Sequence, residues 1–104
     1  MNISSDHDLN KLADKFNVLS HPTRLKLLLI VAAMGDITIS NLAGHLGLTV
    51  PRVSELITQL YQGGFLTKTR MANYVSVSLD SESTKQLTEF LTRLTTLSEK
   101  ESTP

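Results

Sequence analysis

Thr49, Val50, Arg52, Ser54, Glu55 and Thr58 face outward from a stretch whose apolar residues, Val53, Leu56, Ile57 and Leu60, recur at helical spacing. What these side chains offer is directional hydrogen bonding. A guanidinium can donate two bonds to O6 and N7 of guanine, and a carboxylate can accept from N4 of cytosine. Hydroxyls can meet base edges or phosphates, and Val50 can meet a thymine methyl. Pro51 removes one backbone donor from the same turn. Arg52 is the best base reader of the set, its bland alternative being a solvated helix charge. Glu55 has two readings, a base contact or an ion pair with Arg52. A second group, Lys68, Arg70, Asn73 and Tyr74, gathers at a hairpin tip. Cations there suit phosphate or minor-groove contact. They equally suit an ordinary edge hairpin that its charges keep from aggregating. Ser40 and Asn41 open a short helix just upstream, whose first N–H groups could hold a phosphate.

Other chemistry is poorly provided for. The 104 residues include no cysteine, so thiolate nucleophiles, thiolate metal ligands and sulfur redox switches are excluded. The three histidines, His7, His21 and His45, are scattered at no usual zinc spacing. Asp6-His7-Asp8 could hold a metal weakly, but an acidic helix start is the simpler use. There is no glycine-rich phosphate loop, no nucleophile elbow and no facing pair of carboxylates, so an enzyme is not expected. No cofactor and no metal site are expected either.

Length fits one domain, 1–104, with a modest core. The formal net charge is zero, which is weak support for a nucleic-acid partner. Its distribution is more informative. Residues 20–79 carry Arg24, Lys26, Arg52, Lys68 and Arg70 against Asp36 and Glu55, while both flanks are net negative. Leu27 to Met34 is apolar but too short to span a membrane. The first residues are polar and lack a signal region, so a cytoplasmic location is expected.

The elements that must position these residues can be read from periodicity and punctuation. Asp6 or Asp8 caps a first helix, 6–19, with Leu9, Leu12, Ala13, Phe16 and Leu19 on one stripe. Ser20 caps a second, with Pro22 in its first turn, ending near Met34 at Gly35. It is apolar nearly all round and so belongs at the centre of the core. Arg24 is read as structural, pairing with a nearby carboxylate or carbonyls. Asp36-Ile37-Thr38 suits a short strand against a later hairpin. A third helix runs from Ile39 to Leu46, Gly47 makes the turn at positive φ, and Thr49 caps the fourth. Strands follow over Phe65–Thr69 and Tyr74–Leu79, the second alternating Val75, Val77 and Leu79 with serines. Asp80 or Ser81 caps a last helix, 80–99, striped by Leu87, Phe90, Leu91, Leu94 and Leu97. The fold class is mainly α with a small β-hairpin (α+β): a single winged helix-turn-helix domain of about five helices, its helix-turn-helix and wing spanning 20–79.

The ordered pieces Leu19-Ser20-His21-Pro22-Thr23-Arg24-Leu25, Leu42-Ala43, Leu46-Gly47-Leu48, Val53-Ser54, Leu60 and Gly64-Phe65-Leu66 resemble the ArsR/SmtB family of small bacterial repressors. The resemblance covers roughly residues 16–80. It implies a homodimer that binds a palindromic site on double-stranded DNA as a transcriptional repressor. It implies that the first and last helices make the dimer, through Leu9, Leu12, Phe16, Leu87, Phe90, Leu91, Leu94 and Leu97. The chain departs from the family where many members sense metals. Ile37 and Ile39 stand where a cysteine pair would be, and the last helix has no histidine. The inducer is left unnamed. Two rival readings remain: a winged module that binds protein rather than DNA, favoured by zero net charge, Glu55 and the Val50-Pro51 edge; and a sensor with a dimer-interface site built on Asp6, His7 and Asp8.

Overall fold

The computed structural model describes residues 5–102, and the side chains of residues 5–96. Five helices and three short strands follow the order α1 (Asp6–Leu19), α2 (Pro22–Met34), β1 (Ile37–Thr38), α3 (Ile39–Leu46), α4 (Val50–Gln62), β2 (Leu66–Arg70), β3 (Val75–Leu79), α5 (Glu82–Ser102). The sheet is antiparallel in the order β1-β3-β2, so the expected minor strand does add to the hairpin, Ile37 opposite Val77.

The core has one centre. Leu27, Leu28 and Val31 of α2 meet Leu42 of α3, Val53, Ile57 and Leu60 of α4, and Leu66 and Val77 of the sheet, all essentially inaccessible to water. The inner stripe of α4 is as its periodicity requires. Each fully buried aliphatic side chain contributes about 1.5–3 kcal/mol relative to exposure.

The helix ends differ from the sequence reading at two places, and a third is decided between its two candidates. Ser5, rather than Asp6 or Asp8, caps α1, its hydroxyl accepting from the Asp8 N–H at 3.2 Å. Ser20 does not cap α2. Its hydroxyl donates instead to the Asn17 carbonyl at 2.7 Å, closing α1, so His21 occupies the α2 N-cap without a side-chain bond. Of the two candidates before α5, Ser81 is the cap, accepting from the Thr84 N–H at 3.3 Å. The strands also begin one residue later than expected. Phe65 spends its N–H on the Leu60 carbonyl at the end of α4, so the ladder starts at Leu66. Tyr74 belongs to the turn, its carbonyl accepting from the Met71 N–H at 2.8 Å.

The turn between α3 and α4 depends on Gly47, which sits at φ +66° and sends its N–H back to Ala43 and Gly44. Leu48 follows by donating to Ala43 at 3.1 Å. Nothing lies within 4 Å of a Cβ built on Gly47, so Gly47→Ala meets only the backbone cost of a left-handed residue. We expect it to destabilise the domain by about 1–2 kcal/mol in urea unfolding, with no change in slope.

The core leaves two helices only partly engaged. On α1 only Leu19 is buried, and Phe16 stays 55% exposed. On α5 the expected single stripe divides. Leu87 packs on the chain's own core and Leu91 is half-buried, sharing the inward face with buried Thr84 and Thr88. Phe90 and Leu94 point away from it, both nearly half exposed. The side chain of Leu97 lies outside the described residues. Thr84 and Thr88 satisfy their burial locally: the Thr88 hydroxyl donates to the Lys85 carbonyl at 2.8 Å. The Cα radius of gyration is 15.1 Å, against about 13 Å for a compact domain of this size.

Candidate nucleic-acid interface

The exposed start of α4 is built by its cap. Thr49 has extended backbone and accepts the Arg52 N–H at 3.3 Å. Val50 and Pro51 fill the first turn, where Pro51 loses no helical bond. With Val53, Leu56, Ile57 and Leu60 buried, the helix presents Val50, Pro51, Arg52, Glu55, Thr58, Gln59, Tyr61 and Gln62 to solvent, with Ser54 half-buried at the edge. Arg52 and Glu55 pair across that face, Nη1 to Oε2 at 3.1 Å. The side chains remain 52% and 66% exposed, so the pair is worth at most about 1 kcal/mol. Its effect is geometric: one guanidinium edge is held and the other donors stay available. Thr58 donates its hydroxyl to the Ser54 carbonyl at 2.9 Å, leaving it mainly an acceptor toward any ligand.

The hairpin register decides where the wing charges go. Leu66, Lys68 and Arg70 of β2 stand opposite Leu79, Val77 and Val75 of β3, so they share one face. Leu66 and Val77 on that face are buried in the core, so Lys68 and Arg70 project from its outward continuation, on the side of α4. Lys68 Nζ lies 4.5 Å from the ring centroid of Tyr61 in the last turn of α4. Thr67, Thr69, Ser76 and Ser78 take the other face. Asn73 and Tyr74 sit exposed at the tip. Tyr61 was missed in the sequence reading. Its aromatic ring on an otherwise polar face was the available signal, but its use depends on the hairpin folding back over α4.

The remaining candidates are placed less tightly. Ser40 and Asn41 are exposed at the start of α3, where Asn41 spends its N–H on the Thr38 hydroxyl at 3.1 Å. His45 is exposed on α3. Arg24 is half-buried but, among the described residues, has no ion pair, so the expected carboxylate partner is not found. Asp6, His7 and Asp8 occupy the first turn of α1, and no group of three metal-ligating side chains occurs among the described residues. No helix among the described residues is long and apolar enough to cross a membrane.

A capped helix set after a glycine turn, with a cationic hairpin turned to its side, is a winged helix-turn-helix. The model for the MarR family matches residues 21–73, just over half of the chain, and the chain belongs to the MarR family. It is thus a winged-helix transcriptional regulator. No curated protein sequence matches it significantly. Among solved structures it is similar to the AntR antimony-specific transcriptional repressor (TM-score 0.82, 22% identity, covering 96% of this chain and 90% of that one). It is also similar to a homodimeric winged helix-turn-helix DNA-binding domain from Mycobacterium bovis, described as a possible ArsR-family regulator (TM-score 0.80, 20% identity, 91% and 90% covered). HlyU from Vibrio cholerae is a third such structure (TM-score 0.79, 21% identity, 86% and 97% covered). At these identities the likeness concerns the fold.

Proposed function

We propose that the chain is a sequence-specific repressor that binds a palindromic operator as a homodimer with ArsR/SmtB-like organisation. The observation that carries this is the capped, exposed start of α4, where Arg52 offers a base reader, followed in the chain by a hairpin whose Lys68 and Arg70 share one face as phosphate cations. The N-terminal half of α4 enters the major groove, with Thr49, Val50, Ser54, Glu55 and Thr58 around Arg52. Lys68, Arg70, Asn73 and Tyr74 meet the flanking backbone or minor groove, and Ser40 and Asn41 a phosphate. Leu9, Leu12, Phe16, Phe90 and Leu94 meet the second copy. An apolar notch lined by Leu12, Phe16, Phe65 and Leu87 joins the α1 and α5 stripes. The described homodimer from Mycobacterium bovis and the repressor AntR support the same reading by likeness of fold.

Fluorescence anisotropy with a labelled random duplex tests DNA binding itself. Six or more phosphate contacts per dimer would cost roughly 10³-fold or more in affinity between 50 and 200 mM salt. Absence of binding at the lower salt would overturn the proposal and favour a protein-binding module. The Arg52–Glu55 pair and the exposed Val50 are what recommend that second reading.

The wing contributes through Tyr61. A cation–π contact at an exposed site is worth about 0.5–1 kcal/mol, so Tyr61→Leu should lower affinity for any duplex by about two- to five-fold. Tyr61→Phe keeps the ring and should leave affinity unchanged in the same assay.

A further inference from the structure

We propose that the free edge of β2 accepts an extended acidic segment of a partner protein as an added antiparallel strand, and that this strand displaces DNA from the wing, a second half that rests on the repressor reading above.

The hydrogen-bond pattern of the hairpin defines the edge. β2 and β3 pair without interruption from Leu66 opposite Leu79 to Arg70 opposite Val75. Just beyond the two ends of this ladder, the Asp80 N–H donates to the Phe65 carbonyl at 3.0 Å and the Met71 N–H to the Tyr74 carbonyl at 2.8 Å. Bonded pairs alternate along an antiparallel ladder. The bonds to β3 therefore fall at Phe65, Thr67, Thr69 and Met71, and the N–H and C=O groups of Leu66, Lys68 and Arg70 point the other way. β3 lies between β1 and β2, so that other side of β2 is an open sheet edge. Leu66 is buried, whereas Thr67 to Arg70 are exposed, so the accessible edge is the main chain of Lys68 and Arg70. Among the described residues, no turn, loop or cap bond takes up those groups.

Proteins block such edges with bulges, prolines, a covering segment or charge. The five pairs leave no bulge, and residues 66–79 include no proline. Charge alone remains, and it is of one sign: Lys68 and Arg70, with no aspartate or glutamate in residues 66–79. The next carboxylate along the chain, Asp80, accepts from the Thr67 hydroxyl at 3.5 Å. Neither cation has an ion pair among the described residues. A second copy of β2 laid on this edge would set cation beside cation, which is destabilising.

An acidic strand gains where a copy loses. In the antiparallel arrangement, the residues opposite Lys68 and Arg70 exchange main-chain bonds with them and share their face. Glutamate at those two places thus makes a ladder pair and an ion pair at once. Tyr61 holds the Lys68 ammonium on that face, 4.5 Å from its ring centroid. Carboxylates seated there take the two cations that the wing offers to phosphate, so strand and duplex compete.

The test is amide-exchange NMR on the 15N-labelled full chain with an N-acetylated heptapeptide that alternates glutamate with threonine. In the free chain the Lys68 and Arg70 amides should exchange with water faster than those of Thr67 and Thr69. Saturating peptide should slow Lys68 and Arg70 by about ten-fold or more and change Thr67 and Thr69 little. Methylating the glutamate nitrogens keeps every charge but removes the donors, and should abolish binding. Lys68→Thr and Arg70→Thr together keep strand-forming residues and should weaken binding by about ten-fold or more. The added strand is overturned by Lys68 and Arg70 amides already protected in the free chain, by the absence of saturable binding, or by binding that survives unchanged in the double variant. Equal binding of the methylated peptide would show polyanion attraction alone and overturn it too. In the same buffer, saturating peptide should lower duplex affinity by about five-fold or more, and the methylated peptide should not. Strand addition without that loss would remove the competition and keep the docking site. Strand addition in a chain that binds no duplex would keep the docking site and remove the repressor reading.

Discussion

Glutamate at Phe16 and Leu94 together should yield a folded monomer and lower affinity for a palindromic site by roughly 10²–10⁴-fold, the gain that linking two reading heads supplies. Both side chains are about half exposed within one chain, 55% and 47%, so charging them disturbs little of its own packing. In the proposed dimer the same positions would be buried, and two carboxylates per arm would be taken out of water without partners. The physical motive for association is visible in the fold. The core of one chain covers only Leu19 on α1 and the inward face of α5, leaving Leu9, Leu12, Phe16, Phe90 and Leu94 as apolar surface. Sedimentation equilibrium should give twice the chain mass for the wild type and the single mass for the double variant, with unchanged far-ultraviolet dichroism. A wild type that sediments as a monomer would contradict the expectation.

Arg52→Ala should cost about 1–3 kcal/mol at the operator, and much less on random duplex. The guanidinium is the only group on the exposed face of α4 able to donate two parallel bonds to one base. Glu55 occupies one of its edges at 3.1 Å and cancels its charge on the helix surface. The ion pair thereby trades non-specific phosphate attraction for orientation. It follows that Glu55→Gln should narrow the preference for the operator by tightening binding to random duplex, whereas Arg52→Ala narrows it by weakening binding to the operator. Competition anisotropy with operator and random duplexes measures both. Equal losses for Arg52→Ala on the two duplexes would show that it contacts phosphate and reads no base.

The residues that made the fold legible are those whose local physics decides the outcome alone. Gly47 between two apolar stripes, Thr49 before the second, and the Val75/Val77/Leu79 alternation each allow one structure, and each is found in it. Ser20 and the aspartates of α1 misled because several hydroxyls and carboxylates compete for the same few N–H and carbonyl groups. On α5, Leu87 and Leu91 looked equivalent to Phe90 and Leu94. Only the position of α2 and the sheet reveals that Thr84 and Thr88 share the buried side with Leu87. In the candidate interface the outward residues of α4 followed from its stripe, whereas Tyr61 and the lysine it holds needed the hairpin's path.

The most direct test is selection from a random-sequence duplex pool, with sequencing of the retained fraction at low and physiological salt. A dimeric winged-helix repressor should enrich a palindrome whose half-sites lie about 34–36 Å apart, one helical turn centre to centre. Replacing Arg52 with alanine should relax the bases it reads. A pool that stays random at both salt concentrations would contradict sequence-specific regulation by this chain.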